Sequence, residues 1–352
     1  MQYHSTLHLS SGFPIVVGLQ HIEDYRKIKV AEPTDHMIFK RKDGHEMHGV
    51  GVTHGYHHYI ISTRPRCVFN QSSFTWKSSL KKVVGELEFE LGYRHWKSVP
   101  FELLLDGSSP YHKRPGSPLP LPENIVDVFL DLGPMGHPNR VIIEDTEGRR
   151  KGFFLEPDLF HFVRVDDRGW SDCLDLKIEY IGISTGDHGN RDFADRLWNH
   201  EKVREIAGMI QRDAPNLQVY VFGYQARYVI ENPPGKLMMN VDILKARLGA
   251  RDAAQVLEAS LIGHFRPTYN DVFKEFPGGK PPHWVGVLRD IIRPSYEPPG
   301  REFISVVLPS DNRHNPEGAW IFGRFYTDHS RLKHNGATDL CEILIELPRG
   351  EG

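Results

Sequence analysis

The order of apolar patterns after residue 155 is the feature that most constrains the fold of this chain. Two strand-like runs, LFHFVRV and KIEYIGIS, precede a helix-like stretch over 192–210. A third strand-like run, LQVYVFGY, follows. A second helix-like stretch, AAQVLEASLIGHF, comes after it and stops before Pro267. The apolar period changes from strand to helix and back within this region. We therefore expect a compact α+β unit here.

The flanking regions favour strands. Residues 1–105 alternate short β-branched runs with turn residues, and the segment 106–124 is dense in Pro, Ser and Gly, as in a linker. The run RVIIEDTEGRRKGFFL predicts a hairpin that turns at Glu147 and Gly148. The last strand-like runs are FISVVL, AWIFGRFY and CEILIEL. The expected parts are a strand-rich N-terminal domain over 1–150, a central domain over 151–280 and a strand-rich C-terminal segment over 281–352.

The net charge, the cysteine spacing and the apolar runs disfavour several classes of protein. The formal net charge of −3 gives no sign of a polyanion partner, so a nucleic-acid surface would have to be a local patch. Cys67, Cys173 and Cys341 are widely spaced, which suits neither a disulfide framework nor a zinc site. The first twenty residues lack a basic start followed by an uninterrupted apolar segment, and no later run approaches the roughly 18 apolar residues that a membrane helix needs. We expect a cytoplasmic protein without membrane contact.

The first predicted helix carries polar residues on its inner face. Arg196 and His200 share one face with Phe193 and Leu197 at spacing i, i+3, i+4, i+7. Each polar residue alone has an ordinary structural explanation. Arg196 can pair with Asp192 on a solvated edge, and His200 can flank the core with one nitrogen satisfied.

The second predicted helix shows the same anomaly. Glu258 falls on the stripe formed by Ala254, Leu257, Leu261 and Phe265. A carboxylate on an apolar stripe is costly to bury unless it is paired, hydrogen-bonded or bound to a metal.

Together with Tyr180 at a strand end, these residues are the parts needed to hydrolyse a phosphodiester. The guanidinium of Arg196 offers a planar donor fork to phosphate oxygens. The carboxylate of Glu258 suits Mg²⁺, which usually takes one or two protein carboxylates and keeps several waters. Such an ion polarises the phosphoryl oxygen and stabilises the leaving alkoxide.

Two blocks of this region resemble the GIY-YIG nucleases. Tyr180–Gly182 followed by Arg196–His200 is similar to the YIG strand of that family and its arginine helix. Leu257–Ile262 running to Pro267–Asn270 is similar to the helix that carries the metal-binding glutamate and ends near an Asn.

The resemblance implies a fold, a cofactor and site residues. The fold is a small three-stranded sheet flanked by helices, and the activity is hydrolysis of DNA by water or hydroxide with one divalent cation, Mg²⁺ or Mn²⁺. Glu258 would hold this cation and Arg196 would bind the scissile phosphate. Tyr180 and His200 would position or activate the nucleophile, and Asn270 would brace the site.

The sequence departs from the family at its first motif, Gly-Ile-Tyr. The strand-like run before the YIG strand reads LFHFVRV, in which His161 is the positional stand-in for the missing tyrosine. A histidine can act as a general base near neutral pH, but the replacement also fits an altered or inactive site. The family's lysine soon after YIG is absent, since Ile183 and Ser184 follow Gly182, and residues 231–252 are an extra segment.

The leading hypothesis is a divalent-metal-dependent DNA endonuclease whose expected substrate is double-stranded DNA. A role in restriction or phage defence is suggested by analogy alone. The alternative is a catalytically inactive nucleic-acid-binding or sensor protein that keeps the fold. Homo-oligomer formation is left open.

Two other patterns in the N-terminal half have functional interpretations. A histidine run suggests a metal enzyme, although the spacing fits zinc poorly and a structural role is favoured; its members are His45, His48, His54, His57 and His58. Basic clusters at 26–29, 40–42, 77–82 and 148–151 suggest DNA contacts, or merely a solvated surface. The aromatic residues near these clusters are Tyr25, Tyr56, Trp76 and Trp96.

Overall fold

The computed structural model describes the chain in segments. Side chains and backbone are described for residues 57–106, 124–132, 138–153, 155, 159, 163, 173, 176–184, 201–224 and 246–291. Only the backbone is described for residues 5–9, 13–16, 37–40, 46–49, 154, 164–165, 226–230, 292, 303–309, 314–315, 318–320, 325–326 and 340–346.

Strands dominate the described residues. The strands of the N-terminal half are β1 (Ser5–Leu9), β2 (Phe13–Val16), β3 (Met37–Lys40), β4 (Glu46–Gly49), β5 (His58–Phe69), β6 (Thr75–Lys77), β7 (Lys82–Gly92), β8 (His95–Leu104), β9 (Ile125–Asp131), β10 (Arg140–Asp145), β11 (Arg150–Phe154) and β12 (Val163–Val165). The later strands are β13 (Leu176–Ile183), β14 (Leu217–Tyr224), β15 (Ala226–Ile230), β16 (Phe303–Pro309), β17 (His314–Asn315), β18 (Gly318–Trp320), β19 (Phe325–Tyr326) and β20 (Leu340–Glu346). The helices are α1 (Glu201–Asp213), α2 (Ala250–Phe265) and α3 (Val285–Ile292).

The prediction of a mixed, strand-rich α and β protein is confirmed. The predicted hairpin is present as β10 and β11, and Gly148 in its turn has φ +72°, which an L residue adopts only with strain. The second predicted helix is present as α2 and ends as expected before Pro267, with Arg266 in the left-handed region at its C-terminus. The first predicted helix is described from Glu201 onward.

Strand β5 is the centre of the α+β region. Its first half pairs antiparallel with β13 on one side and with β14 on the other, so the local strand order is β13, β5, β14. Successive strand residues point to opposite faces of a sheet, and both faces here are covered by helices. Tyr59, Ile61 and Val221 contact α1 in one buried cluster. Ile60 and Phe222 contact α2 in another.

Helix α1 is amphipathic because its apolar residues recur at i, i+3, i+4 and i+7. Val203, Ile206, Ala207 and Ile210 are buried against the sheet, while Glu201 is exposed. Helix α2 is buried on most of its circumference. It lies against the sheet on one side, and the indole of Trp284, which precedes α3, reaches it on another, donating from Nε1 to Oε1 of Gln255 at 3.3 Å.

The second half of β5 belongs to a different core. Residues 66–69 pair with β7, and Cys67 and Phe69 lie in a buried cluster with residues of β7, β8 and the sheet formed by β9, β10 and β11. One twelve-residue strand therefore joins two cores. Strand β12 pairs with β8 and β18, not with the YIG strand that follows it in sequence.

Strands from the two ends of the chain pair with each other. Strand β1 lies between β15 and β16, and β16 pairs with β20. The boundaries predicted at residues 150 and 280 stay predictions, but backbone pairing crosses both of them. None of the described helices is both long and apolar enough to span a lipid bilayer.

Candidate functional site

The Tyr-Ile-Gly sequence lies near the end of β13 and faces a second tyrosine. Gly182 is directly opposite Tyr59 in the antiparallel register with β5. Tyr59 is 1% exposed, Tyr180 is half-buried, and both pack with the α1 cluster. Their ring centroids are 5.9 Å apart with a tilt of 33°. Two phenols therefore meet on the α1 face of the sheet.

Gly182 makes this meeting possible. A Cβ atom there would lie 2.6 Å from Cζ and Oη of Tyr59 and 2.7 Å from Cε1 of Tyr180. These separations are far below a van der Waals contact, and the obstacles are two packed rings rather than flexible chain ends. Glycine is therefore required here for space.

Asn270 holds the backbone of the same strand past the two residues, Leu176 and Lys177, that pair with β19. It is 3% exposed; its Oδ1 accepts a hydrogen bond from the Ile181 amide at 2.9 Å, and its Nδ2 donates to the Ile181 carbonyl at 2.8 Å. The amide of Tyr269 donates to the carbonyl of Glu179 at 3.1 Å. The segment after α2 thus continues the hydrogen bonding of β13 where a further strand would otherwise be needed.

Glu258 occupies the polar edge of α2. It is half-buried, like Asp252 and Gln255 on the preceding turns, whereas Leu257 and Leu261 are fully buried. The sequence placed Glu258 on the apolar stripe, and the structure places it at the border of that stripe, where part of the side chain meets water.

Helix α2 and the tyrosine pair lie on opposite faces of the sheet. A site that combines Glu258 with Tyr59 and Tyr180 must therefore be at the end of the sheet, where β5 begins and β13 ends. His58 joins the start of β5 to α2 there: its ring is 1% exposed, and its Nε2 lies 3.1 Å from the carbonyl of Ala254, one helical turn before Glu258.

Three of the predicted site residues, His161, Arg196 and His200, lie outside the described residues. Arg196 and His200 directly precede α1 in sequence, and the face of the sheet that α1 covers is the one that carries both tyrosines. Of the remaining three, Tyr180 lies in the short stretch of β13 that Asn270 binds, while Glu258 lies on α2, which covers the opposite face of the sheet.

Sequence reasoning missed Tyr59 as a site residue. The run HYIIST is one of the β-branched runs that predict strands within residues 1–105, but residues 70–175 separate it from β13, and sequential neighbours are the usual partners in a sheet. The available signal was a tyrosine that opens an apolar run directly after two histidines.

A buried carboxylate on the same strand was also missed. The register between β13 and β5 shifts between Ile178 and Tyr180, which makes Glu179 a bulged residue. Glu179 is 6% exposed, and its Oε1 accepts a hydrogen bond from Oγ1 of Thr63 at 3.1 Å. Burial, assisted by the negative charge of Glu179, raises the pKa of the nearby Tyr269. This cluster stiffens the strand just before Tyr180.

Glu258 is the carboxylate that the resemblance assigns to a divalent cation. Among residues whose side chains are described, no group of three or more His, Cys, Asp and Glu side chains is arranged to hold a metal ion. Mg²⁺ needs fewer protein ligands, since one or two carboxylates with waters and substrate phosphates complete its shell. A half-buried carboxylate such as that of Glu258 fits this requirement.

Much of the histidine run and of the basic clusters falls on residues without described side chains. Within the described part, His58 has the structural role above. Arg149 pairs with Asp145 and Arg150 with Glu144, so these basic residues face acids. Trp76 donates from Nε1 to the Val126 carbonyl, whereas Trp96 is 42% exposed.

Comparison of the chain with models of protein families, with curated proteins and with solved structures found no match.

Proposed function

We propose that this protein is a divalent-metal-dependent endonuclease of the GIY-YIG type that hydrolyses phosphodiester bonds in DNA. The observation that carries the proposal is the position of Tyr59 opposite Gly182, with its ring beside that of Tyr180. The tyrosine that the first motif of this family requires then has a candidate in Tyr59, in place of His161. The local order β13, β5, β14 between α1 and α2 supports the same proposal.

In the proposed reaction, the site residues act on the attacking water, on the phosphate and on the metal ion. A water molecule attacks the phosphorus atom, its proton passes to a basic group at the tyrosine pair or His200, and the bond from phosphorus to the leaving oxygen breaks. Arg196 neutralises the phosphate oxygens with its donor fork. Glu258 would hold Mg²⁺ or Mn²⁺, which stabilises negative charge on the leaving oxygen.

The positions of Asn270 and Gly182 serve this chemistry indirectly. Preorganised groups accelerate a reaction because their geometry is set before the substrate arrives. Asn270 fixes the backbone between Tyr180 and Gly182 through both polar groups of Ile181, and Gly182 leaves room for the two rings. Both residues are positioning residues, not chemical ones.

The test is a cleavage assay on supercoiled and linear DNA in Mg²⁺, in Mn²⁺ and in EDTA. We expect wild-type protein to nick or cut only with metal. The variants Glu258→Gln and Arg196→Ala should lose at least about 100-fold in rate, because each removes charge stabilisation at the reacting phosphate. Glu275→Ala, which changes an exposed carboxylate in the segment after α2, is the matched control and should cut like wild type.

Two results would contradict the proposal. One is the absence of cleavage by wild type with either metal. The other is cleavage by Glu258→Gln at the wild-type rate. DNA binding without cleavage would favour the inactive binding or sensor protein considered above.

A further inference from the structure

The hairpin tip between β7 and β8, residues 91–97, exposes several large apolar side chains. Tyr93 is 87% exposed, Trp96 42% and Leu91 36%. Two of these three side chains are aromatic, and they lie on one two-residue turn and its flanking strand ends. Adjacent exposed aromatic residues mark an interaction site more often than isolated exposed residues do.

Arg94 occupies an unfavourable backbone position in this turn. Its φ is +57°, in the left-handed region where glycine or asparagine would be accommodated at lower cost. Its guanidinium lies 5.1 Å from the centroid of the Tyr93 ring. The turn therefore holds a cation beside an exposed aromatic ring.

The charge of the hairpin tip is positive. The sequence Leu91 to Ser98 contains Arg94, His95 and Lys97 and no acidic residue. The nearest acid in sequence, Glu90, accepts a hydrogen bond from Arg66. One further acid on β7, Glu88, accepts from Asn70 at 2.9 Å. The tip therefore combines exposed aromatic rings with cations, while Glu90 and Glu88 are engaged by other side chains.

We propose that this hairpin tip binds unpaired bases of a DNA strand. Bases stack on Tyr93 and Trp96, and the phosphates between them meet Arg94. Base pairs in a duplex hide their faces from such stacking, so the preferred ligand has a single-stranded segment. The inference rests on the proposed nuclease function for its choice of DNA, and it defines the substrate as DNA with an unpaired region near the cleaved strand.

The test measures binding with fluorescein-labelled oligonucleotides in EDTA, where metal-dependent cleavage cannot occur. Anisotropy titrations compare a single strand with the matched duplex for wild type, for Tyr93→Ala with Trp96→Ala, and for Arg94→Ala. The aromatic double variant should bind the single strand at least about tenfold more weakly. Arg94→Ala should lower the slope of log affinity against log salt by about 0.7, the value for one phosphate contact on a single strand.

The matched controls are Val287→Ala, another exposed apolar residue, and Lys280→Ala, another exposed cation, both outside the basic clusters named above. Both should bind like wild type, and thermal unfolding should show that all variants fold. Any of three results would overturn the inference: no binding of wild type to either oligonucleotide, equal affinity of wild type for single strand and duplex, or a double variant within twofold of wild type.

Failure of this inference is separable from failure of the proposed function. Metal-dependent cleavage that depends on Glu258, with single-strand affinity unchanged in the aromatic variant, removes the hairpin role and leaves the nuclease. Hairpin-dependent binding without cleavage by wild type removes the nuclease and leaves the binding surface.

Discussion

Gly182 shows at the scale of one residue why the sequence Tyr-Ile-Gly is needed at this place. A methyl group there would overlap the rings of Tyr59 and Tyr180. Because both rings are packed against the α1 cluster, they have little space in which to move away from an added methyl group. Glycine is therefore required at this position because a tyrosine lies on each of the two neighbouring strands.

Gly182→Ala should lower the free energy of unfolding by about 1–3 kcal/mol, the usual cost of overpacking a core. Gly208→Ala is the control: Gly208 lies inside α1, and a Cβ there would meet nothing within 4 Å. That change should raise the free energy of unfolding by about 0.5–1 kcal/mol, because alanine favours the helix. Urea denaturation measures both; equal effects at the two glycines would contradict the account.

The hydroxyl groups of Tyr59 and Tyr180 should matter for cleavage rather than for folding. Tyr59→Phe and Tyr180→Phe keep the ring packing and remove only the hydroxyl group. We expect each to lower the cleavage rate by about 100-fold or more, as for the loss of an acid or base group. Tyr220→Phe removes another buried hydroxyl, the acceptor for Arg64, and should leave the rate unchanged. Wild-type rates for both site variants would exclude the tyrosine pair from the chemistry.

At the scale of elements, the segment after α2 substitutes for a strand. Tyr269 and Asn270 hydrogen-bond to β13 at Glu179 and Ile181, past the two residues that pair with β19. The left-handed Arg266 and the following Pro267 end the helix, so the chain turns back towards the sheet within a few residues. The length of α2 therefore decides where Asn270 meets β13.

Asn270→Ala should lower the free energy of unfolding by about 2–4 kcal/mol, because it leaves the buried amide and carbonyl of Ile181 without their partner. Asn216→Ala is the comparison, since Asn216 is half-buried and donates one hydrogen bond, to the Glu90 carbonyl at 3.2 Å. That change should cost about 1 kcal/mol. Chemical denaturation of both variants checks the difference, and a cost below 1 kcal/mol at Asn270 would argue against the bracing role.

At the scale of the whole molecule, β5 makes the α+β unit depend on the N-terminal third of the chain. Its first half is the central strand between β13 and β14, and its second half enters the core with β7 and β8. Central strands are buried on both faces and bonded on both edges, so their removal leaves two strands with nothing between them.

A fragment of residues 151–280 should therefore not fold, because it contains β13, β14 and α2 but lacks β5. A fragment of residues 57–292 keeps all three strands with α1, α2 and α3, and should unfold cooperatively. Circular dichroism with thermal melting compares the two. A cooperative transition in the shorter fragment would show that the predicted central domain is independent after all.

Much of the secondary structure was predictable from local patterns. The runs KIEYIGIS, LQVYVFGY and AAQVLEASLIGHF became β13, β14 and α2, since apolar period and the stop at Pro267 depend on neighbours in sequence. Candidate chemistry at Tyr180 and Glu258 was visible for the same reason, because position on a strand or helix sets which face a side chain takes. Asn270 was expected only from the resemblance to the GIY-YIG nucleases.

The sequence by itself determined the strand and helix segments and the residue types available for phosphate chemistry. The tertiary structure alone decided which strand pairs with β13. The partner of β13 is β5 and not the strand-like run that precedes β13 in sequence. This pairing brings Tyr59 opposite Gly182. The physical reason is that pairing between strands separated by residues 70–175 depends on how whole faces are buried. A local sequence pattern therefore does not show which strand pairs with β13.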